Sequence, residues 1–291
     1  MFIFAATGSA VGLGNIWKFP WMVSESGGGA FVLIYIASII LIALPIMIAE
    51  VFIGRHGKQN PVASLQYLAK ESSSFDVTEI DGDLNRVKTK KQKYSNSDDY
   101  SNWQLVGWGG IIAGILILSF YSVIAGWTMS YILKAGSGTF NLINLEESKK
   151  IFADLVSDPV KLLGWHTAFM FLTCYIVAKG VKGGLEKAVK FLIPGLFLIL
   201  IGLALYSTTL SGFSDGIKYM FVPELSKINS SVILSAIGMA FFSLSIGMGS
   251  LMIYGSYLSD DSSIGEVTAI VAFADTSVAI LAGLIIFPIV F

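Results

Sequence analysis

Seven long apolar runs constrain what this chain can fold into more than any other feature of its sequence. A helix needs about 20 apolar residues to cross the ~30 Å hydrocarbon core of a bilayer. With 54% hydrophobic and 13% charged residues, the chain has more apolar surface than one soluble core would use. The sequence therefore predicts an all-α polytopic membrane protein, a single membrane domain over 1–291, with about seven transmembrane helices near residues 1–23, 29–53, 108–134, 164–181, 188–208, 232–256 and 266–291.

Charge is concentrated in one polar region, residues 54–104, between the second and third runs. This region carries eight Lys and Arg, and four lysines between the fourth and fifth runs bring that side to twelve, against six on the other. Because positive residues are retained in the cytoplasm, we expect 54–104 to be a cytoplasmic loop and the N-terminus to be cytoplasmic, in a plasma or bacterial inner membrane. The lysine-rich stretch 85–93 is interpreted as a solvated loop rather than a specific lipid or protein site.

Several function classes are disfavoured by composition. The net charge of −1 gives no reason to expect a nucleic-acid partner. One cysteine and two histidines offer no metal-ligand cluster. A membrane enzyme would need an acid, base or nucleophile converging on a pocket, whereas His56 and His166 lie far apart in the sequence. We therefore expect no enzymatic activity, and a channel remains only a formal alternative.

Two apolar runs carry the same interruption, a pair of glycines. The first run reads Ala-Val-Gly-Leu-Gly-Asn at 10–15, and the sixth reads Ser-Ile-Gly-Met-Gly-Ser at 245–250. Unwound backbone at membrane depth is tolerated where it lines a cavity in the protein. When such breaks recur in corresponding segments of a chain, they indicate the binding site of a secondary transporter built from repeats.

Four segments, in the same order along the chain, resemble the neurotransmitter:sodium symporter family, in particular its bacterial sodium-dependent amino-acid transporters. They are residues 8–20, 27–31, 121–127 and 241–249. The resemblance implies the first part of an inverted-repeat (5+5) fold in which helices 1 and 6 are discontinuous. It also implies sodium-coupled symport of an amino acid by alternating access, with Na⁺ as the coupling ion and the lipid bilayer as the surrounding partner.

The resemblance also assigns the ion ligands. One sodium ion would be bound by the Ala10 carbonyl, Asn15, Ser243, Asp275 and the substrate carboxylate. The second would use the Gly8 and Val11 carbonyls, and its other ligands come in the family from an eighth span, so we expect this second site to be incomplete here. Hard cations such as sodium prefer these oxygen ligands.

For the amino acid, the resemblance assigns the carboxylate to the Leu13 and Gly14 amides and the Tyr121 hydroxyl. The amine would be bound by the carbonyls of Ala10, Phe242 and Ser243 with the hydroxyl of Ser245. Ile117, Phe242 and Met248 would enclose the side chain, which predicts a neutral, hydrophobic or aromatic substrate, since methionine adapts its shape readily. The alternative for these three is that they only pack helices together.

Asp275 departs from the family pattern, which commonly has Asn beside the first sodium ion. A carboxylate inside a membrane is costly and is a functional hypothesis by default. Relatives that depend on chloride use that anion near this point, so we hypothesise that Asp275 supplies the negative charge and makes transport chloride-independent. The alternative is an acid that reaches the aqueous phase from a helix end.

Four further positions have expected roles in gating or support. Glu50 matches a family carboxylate that supports the unwound part of helix 6, although an exposed acid at a helix end is the alternative. Lys18 stands where the family has the cation of its outer gate. Gly184 and Pro194 bracket a stretch of the fifth run that would unwind during sodium release, or would only kink the helix.

The chain begins inside the first expected span and ends at the seventh, where the family has eleven or twelve. It is therefore expected to be truncated at both ends. The competing functional hypothesis is a fragment that does not transport, or one half of a split transporter whose partner is the missing C-terminal half.

Overall fold

The computed structural model describes residues 7–8, 10–72, 76–80, 87–91 and 99–291. At 72, 76–80, 87–91, 99–101 and 181–182 it describes the backbone alone. Part of the predicted lysine-rich loop at 85–93 lies outside these residues.

Helices dominate the described residues. Five are long and apolar enough to span a membrane: Gly29–Gly57, Asn102–Gly136, Pro159–Ala178, Gly183–Ser207 and Ile264–Val290. The first and sixth predicted spans are each broken into shorter helical pieces. The prediction of an all-α membrane protein with about seven spans is therefore confirmed, with five continuous spans and two interrupted ones.

Both interruptions fall at the paired glycines. In the first span, the chain bends at Val11 and Gly12, continues as a π-helical turn over Gly14–Lys18 and then as helix α1 over Phe19–Glu25. In the sixth span, helix α10 ends at Ser243 and helix α11 begins at Ser250, with irregular backbone between them (α10, Ser230–Ser243; α11, Ser250–Ser256). The two breaks are therefore real features of the backbone.

The second span contains a π-helical turn. Helix α2 (Gly29–Ser38) passes into this turn at Ile39–Ala43 and continues as α3 (Leu44–Gly57). Pro45 occupies the first turn of α3, where its missing N–H leaves the preceding carbonyls without their usual donor. A π turn changes the local hydrogen-bond pattern at such a point, so the span stays continuous.

The polar region is more ordered than a simple loop. It contains helix α4 (Pro61–Ser72) and an antiparallel hairpin of β1 (Asp76–Ile80) with β2 (Val87–Lys91). Helix α5 (Asp99–Gly136) then begins at Asp99, before the hydropathy boundary near 108. Its first turns carry polar residues. These residues are helical, but their low hydropathy left them out of the predicted span.

The remaining helices are α6 to α9 and α12. Three of these helices have side-chain caps on their first amides, from Asn144, Asp158 and Ser263. Such caps fix the start of a helix, which is why α7 begins at Pro159 rather than near 164. The bounds are α6 Leu145–Val156, α7 Pro159–Ala178, α8 Glu186–Ser207, α9 Phe213–Phe221 and α12 Ile264–Val290, with a π turn at Val181–Leu185 and a 3₁₀ turn at Leu225–Lys227.

The chain forms two compact units. The first comprises the residues up to Ile112 together with Ile193–Phe291, and the second comprises Ala113–Leu192. The core of the first unit includes an aromatic cluster of Phe19, Phe31 and Tyr35, all with no exposed surface. Around it pack the apolar faces of both broken spans, the second span and α12.

Helices α3 and α11 make a very close contact in the first unit. A Cβ built on Gly54 would overlap the carbonyl of Met252, and one built on Gly255 would overlap the carbonyl of Val51. Small residues let membrane helices approach until their backbones touch. The half of the sixth span that follows the break is therefore held directly against the second span.

We expect Gly54→Ala to lower the stability of the protein by about 1–3 kcal/mol, because the added methyl group overpacks this contact. Gly238→Ala is the matched control: Gly238 lies in the interior of α10, and a Cβ there meets nothing within 4 Å. Thermal unfolding of the purified protein in detergent measures both. Equal unfolding midpoints for the two variants would contradict the close α3–α11 packing.

Candidate functional site

Three buried polar side chains from three different spans meet in the core of the first unit. Asn15 lies in the first break, Ser243 at the end of α10 and Asp275 in the middle of α12, and at most 2% of each is exposed. The Asn15 Nδ2 donates to Asp275 Oδ1 at 2.8 Å, to the Asp275 carbonyl at 3.0 Å and to Ser243 Oγ at 3.2 Å. The Ser243 hydroxyl also donates to the other Asp275 carboxylate oxygen.

This cluster links segments that are far apart in the sequence. Asn15 and Asp275 are 260 residues apart, and Asn15 and Ser243 are 228 residues apart. Three oxygen atoms, the Oδ1 and carbonyl of Asp275 and the hydroxyl of Ser243, accept hydrogen bonds from a single amide nitrogen, and all three residues are almost fully buried. Burying a carboxylate is costly unless it is paired or hydrogen-bonded, and here both carboxylate oxygens of Asp275 accept hydrogen bonds, one from Asn15 and one from Ser243.

Tyr35 is a fourth member that the sequence reasoning missed. Its hydroxyl donates to Ser243 Oγ at 3.2 Å, and its side chain has no exposed surface. The signal was present, since Tyr35 carries a hydroxyl group within a mostly apolar run.

The residues one helical turn from Ser243 and Asp275 are apolar. They are Met239 and Ala279, and both are buried in the same core.

The break of the sixth span has unusual backbone geometry. Ser245 has a φ of 56°, Gly247 of 86° and Gly249 of 74°. Glycine adopts positive φ without strain, and a residue with a side chain rarely does. The positive φ at Ser245, a residue expected to bind the substrate amine, marks a point of backbone strain held by the surrounding structure.

Glu50 binds this break directly. Its Oε1 accepts a hydrogen bond from the Gly247 amide at 2.6 Å, and only 6% of the residue is exposed. Among the residues that the structure describes, Glu50 Oε2 is buried with no hydrogen-bond partner. The alternative of an exposed acid at a helix end is therefore wrong, because the side chain points into the first unit and replaces the helix bond that Gly247 lacks.

The two breaks face each other at Gly14 and Phe242. A Cβ built on Gly14 would lie 3.0 Å from Cε1 of the Phe242 ring, so the absence of a side chain lets the ring pack on the backbone. Ala10 is buried, while Leu13 and Met248 are half-buried at the edges of the two breaks. Of the residues expected to bind the amino acid, those in the two broken spans are thus gathered in one unit.

The remaining expected site residues lie on α5 and at the start of the first span. Ile117 and Tyr121 are on α5 in the second unit. Gly8 is half-buried and Val11 buried, at the start of the first span, where the Val11 amide donates to the Thr7 carbonyl.

The three expected gating residues have distinct surroundings. Lys18 places its Nζ 3.9 Å from the ring centre of Trp21 and 5.7 Å from that of Trp17, a cation–π arrangement. Gly184 lies in the π turn before α8, and Pro194 lies inside α8, which is helical from Glu186 to Ser207. The stretch expected to unwind is therefore mostly helical in this structure.

Comparison with known proteins gives consistent results. The model of the "Sodium:neurotransmitter symporter family" matches residues 1–76 and 148–291. The sodium-dependent transporter YhdH of Bacillus subtilis is 37% identical over 290 residues, covering 100% of this chain and 58% of the relative. A sodium-dependent transporter of Haemophilus influenzae is 32% identical over 294 residues, covering 100% and 59%.

A solved structure has the same fold. The crystal structure of MhsT in complex with L-phenylalanine superposes with a TM-score of 0.85 at 41% sequence identity, covering 100% of this chain and 59% of MhsT. A more distant relative, the bovine sodium-dependent neutral amino acid transporter B(0)AT2, is 23% identical over 318 residues. The chain thus spans less than 60% of the length of these relatives, and its sequence and fold place it in the sodium:neurotransmitter symporter family.

Proposed function

We propose that this chain mediates sodium-coupled symport of a neutral, hydrophobic or aromatic amino acid by alternating access, without a requirement for chloride. The observation that carries the proposal is the buried cluster of Asn15, Ser243 and Asp275, which joins both broken spans to α12. Secondary transporters bind their substrate and ions at such breaks near the middle of the bilayer.

The chemistry of the cluster fits sodium. Its oxygen atoms come from a carboxylate, a hydroxyl and a backbone carbonyl, which are hard ligands suited to a hard cation. In the structure the Asn15 amide nitrogen lies among these oxygens, with Oδ1 accepting from the Gly12 amide at 3.1 Å. Binding of sodium requires the amide group to turn over, so that Oδ1 rather than the N–H group points at the ion.

The substrate class follows from the groups around the breaks. Backbone amides and carbonyls at Ala10, Leu13, Gly14, Phe242 and Ser243 suit a zwitterion, since helix amides favour a carboxylate. Phe242 and Met248 offer apolar surface to a side chain, and Ile117 is the third residue that the family resemblance assigns to this role. The phenylalanine in the MhsT complex and the neutral amino acids named for B(0)AT2 support this class.

Chloride independence rests on the composition of the cluster. Asp275 already supplies one negative charge beside the sodium ligands, so a second anion is not needed to offset the ion. A bound chloride would also need hydrogen-bond donors. One turn away from Ser243 and Asp275, Met239 and Ala279 offer apolar surface instead.

Alternating access requires gates and a topology. We propose that Lys18 moves between its Trp21 contact and an outer gate, and that the stretch from Gly184 to Pro194 opens during sodium release. Gly8 and Val11 would contribute carbonyls to a second sodium ion. The N-terminus and the polar region 54–104 would face the cytoplasm, as the distribution of Lys and Arg favours.

Sodium-dependent binding of phenylalanine to the purified chain tests the proposal first. We expect binding in sodium and none in potassium, with Ser243→Ala raising the sodium concentration for half-maximal binding about tenfold, because one ion ligand is lost. Ser277→Ala is the control, since the Ser277 hydroxyl donates to the Phe273 carbonyl within its own helix. Equal binding in sodium and potassium would contradict the proposal.

Glutamate and lysine should compete poorly with labelled phenylalanine, whereas leucine and tryptophan should displace it. An unpaired charge on the substrate side chain would be buried against Phe242 and Met248, at a cost that binding cannot offset. Competition binding in sodium measures the series. Displacement by glutamate at concentrations similar to leucine would exclude an apolar side-chain pocket.

Replacement of chloride by gluconate should leave sodium-dependent phenylalanine binding unchanged. In Asp275→Asn, binding should be lost, because the site then holds a cation without its counter-charge. A second change, Ala279→Ser, offers chloride a donor beside the cluster, and chloride should then restore part of the binding. The compensation hypothesis fails if chloride restores none, or if Asp275→Asn alone binds normally without chloride.

A further inference from the structure

The break of the sixth span rests on a surface made by α4 and the start of α5, outside the ion and amino-acid groups. We propose that this surface, formed by Pro61, Gly107 and Gly110 and called here the support surface, holds residues 244–249 in the shape that binds substrate. These three are positioning residues. The packing argument stands by itself, and only the expected effect on amino-acid binding rests on the proposed function.

Pro61 supports the far end of the break. A Cβ built on Gly249 would lie 2.7 Å from Cγ and 2.9 Å from Cβ of Pro61, so the proline ring packs on the Gly249 backbone. Gly249 is also the residue before α11, with a positive φ that permits the turn. The first residue of α4 therefore fixes where the second half of the sixth span begins.

Gly110 supports the middle of the break. A Cβ built on Gly110 would lie 3.0 Å from the Gly247 carbonyl oxygen and 3.1 Å from the Met248 carbonyl carbon. Glu50 accepts a hydrogen bond from the amide of the same residue, Gly247. Gly247 is thus held between a hydrogen-bond acceptor on the second span and the bare backbone of α5.

The support surface is itself closely packed. A Cβ built on Gly107 would lie 2.7 Å from the Val62 Cα, which brings the backbone of α5 against α4. Gly107 and Gly110 are one turn apart and buried, whereas Gly109 is exposed, and a Cβ there meets nothing within 4 Å. Glycine weakens a helix. Its presence at 107 and 110 is explained by the close contact there, which leaves no room for a side chain.

The geometry connects this surface to binding. Ser245 and Met248, both expected to contact the amino acid, belong to the segment that Pro61 and Gly110 support. Displacing the Gly247 carbonyl by a few tenths of an ångström would shift both residues and the Glu50 bond. Small misplacements of binding groups are costly because the site is preorganised.

Amide hydrogen exchange of the purified chain tests the inference without reference to transport. In Gly110→Ala, exchange over 244–250 should become about tenfold faster, because local opening needs less free energy once the Gly247 bond is strained. Pro61→Ala should also speed exchange there, since it removes the ring without adding any bulk. Gly109→Ala should match the wild type.

Two further measurements separate positioning from general destabilisation. The unfolding midpoints of Pro61→Ala and Gly109→Ala should agree, while sodium-dependent phenylalanine binding weakens about tenfold in Pro61→Ala alone. Unchanged exchange over 244–250 in both Pro61→Ala and Gly110→Ala overturns the inference. If the variants exchange faster but the wild-type chain binds no amino acid, the inference about the support surface stands and the proposed function is refuted.

Discussion

Every other feature of the site depends on one constraint: backbone amides and carbonyls inside a membrane need partners within the protein. The two breaks violate the regular helix pattern, and the structure restores the missing bonds locally. Gly12 donates to the side chain of Asn15, and Gly247 donates to the side chain of Glu50. These two side chains make unwound backbone possible at membrane depth. They also explain why polar residues occur where hydropathy alone would place leucine.

The positive charge of the proposed coupling ion would be matched by a carboxylate that is part of the fold. Asp275 is surrounded by one amide and one hydroxyl group, and Tyr35 adds a second hydroxyl to the same network. In a medium of low polarity, such a network is stable only when every member has a partner. The same bonds that fix the carboxylate therefore tie the first, second, sixth and seventh spans together.

The sequence predicted the parts of the fold that follow from composition and spacing. Hydropathy predicted the five long apolar helices, and the paired glycines located both breaks, because both signals are local. The helix starts at Asp99 and Pro159 were missed, since polar residues and caps extend a helix beyond its apolar part. The π turn of the second span was also missed, because it has no clear local signal. Helix α4 was missed although Asn60 and Pro61 mark its start, where the Ala63 amide donates to Asn60 Oδ1. Tyr35 and the contacts of Pro61 and Gly110 depend on which spans are neighbours, which a single sequence does not state.

The hydrogen bond between Asn15 and Asp275 has a consequence for biosynthesis. At about 5–20 residues per second, a ribosome needs roughly 13–50 s to synthesise the 260 residues that separate them. During that interval the first span resides in the bilayer without its partner. When α12 enters, a central Asp adds about 2.5–3.5 kcal/mol to its insertion free energy, which the surrounding valine, isoleucine and leucine residues offset. Assembly of the proposed ion site thus waits for α12, the last of these spans to be synthesised. A quality-control protease would meet the unpaired Asn15 long before it met the finished cluster.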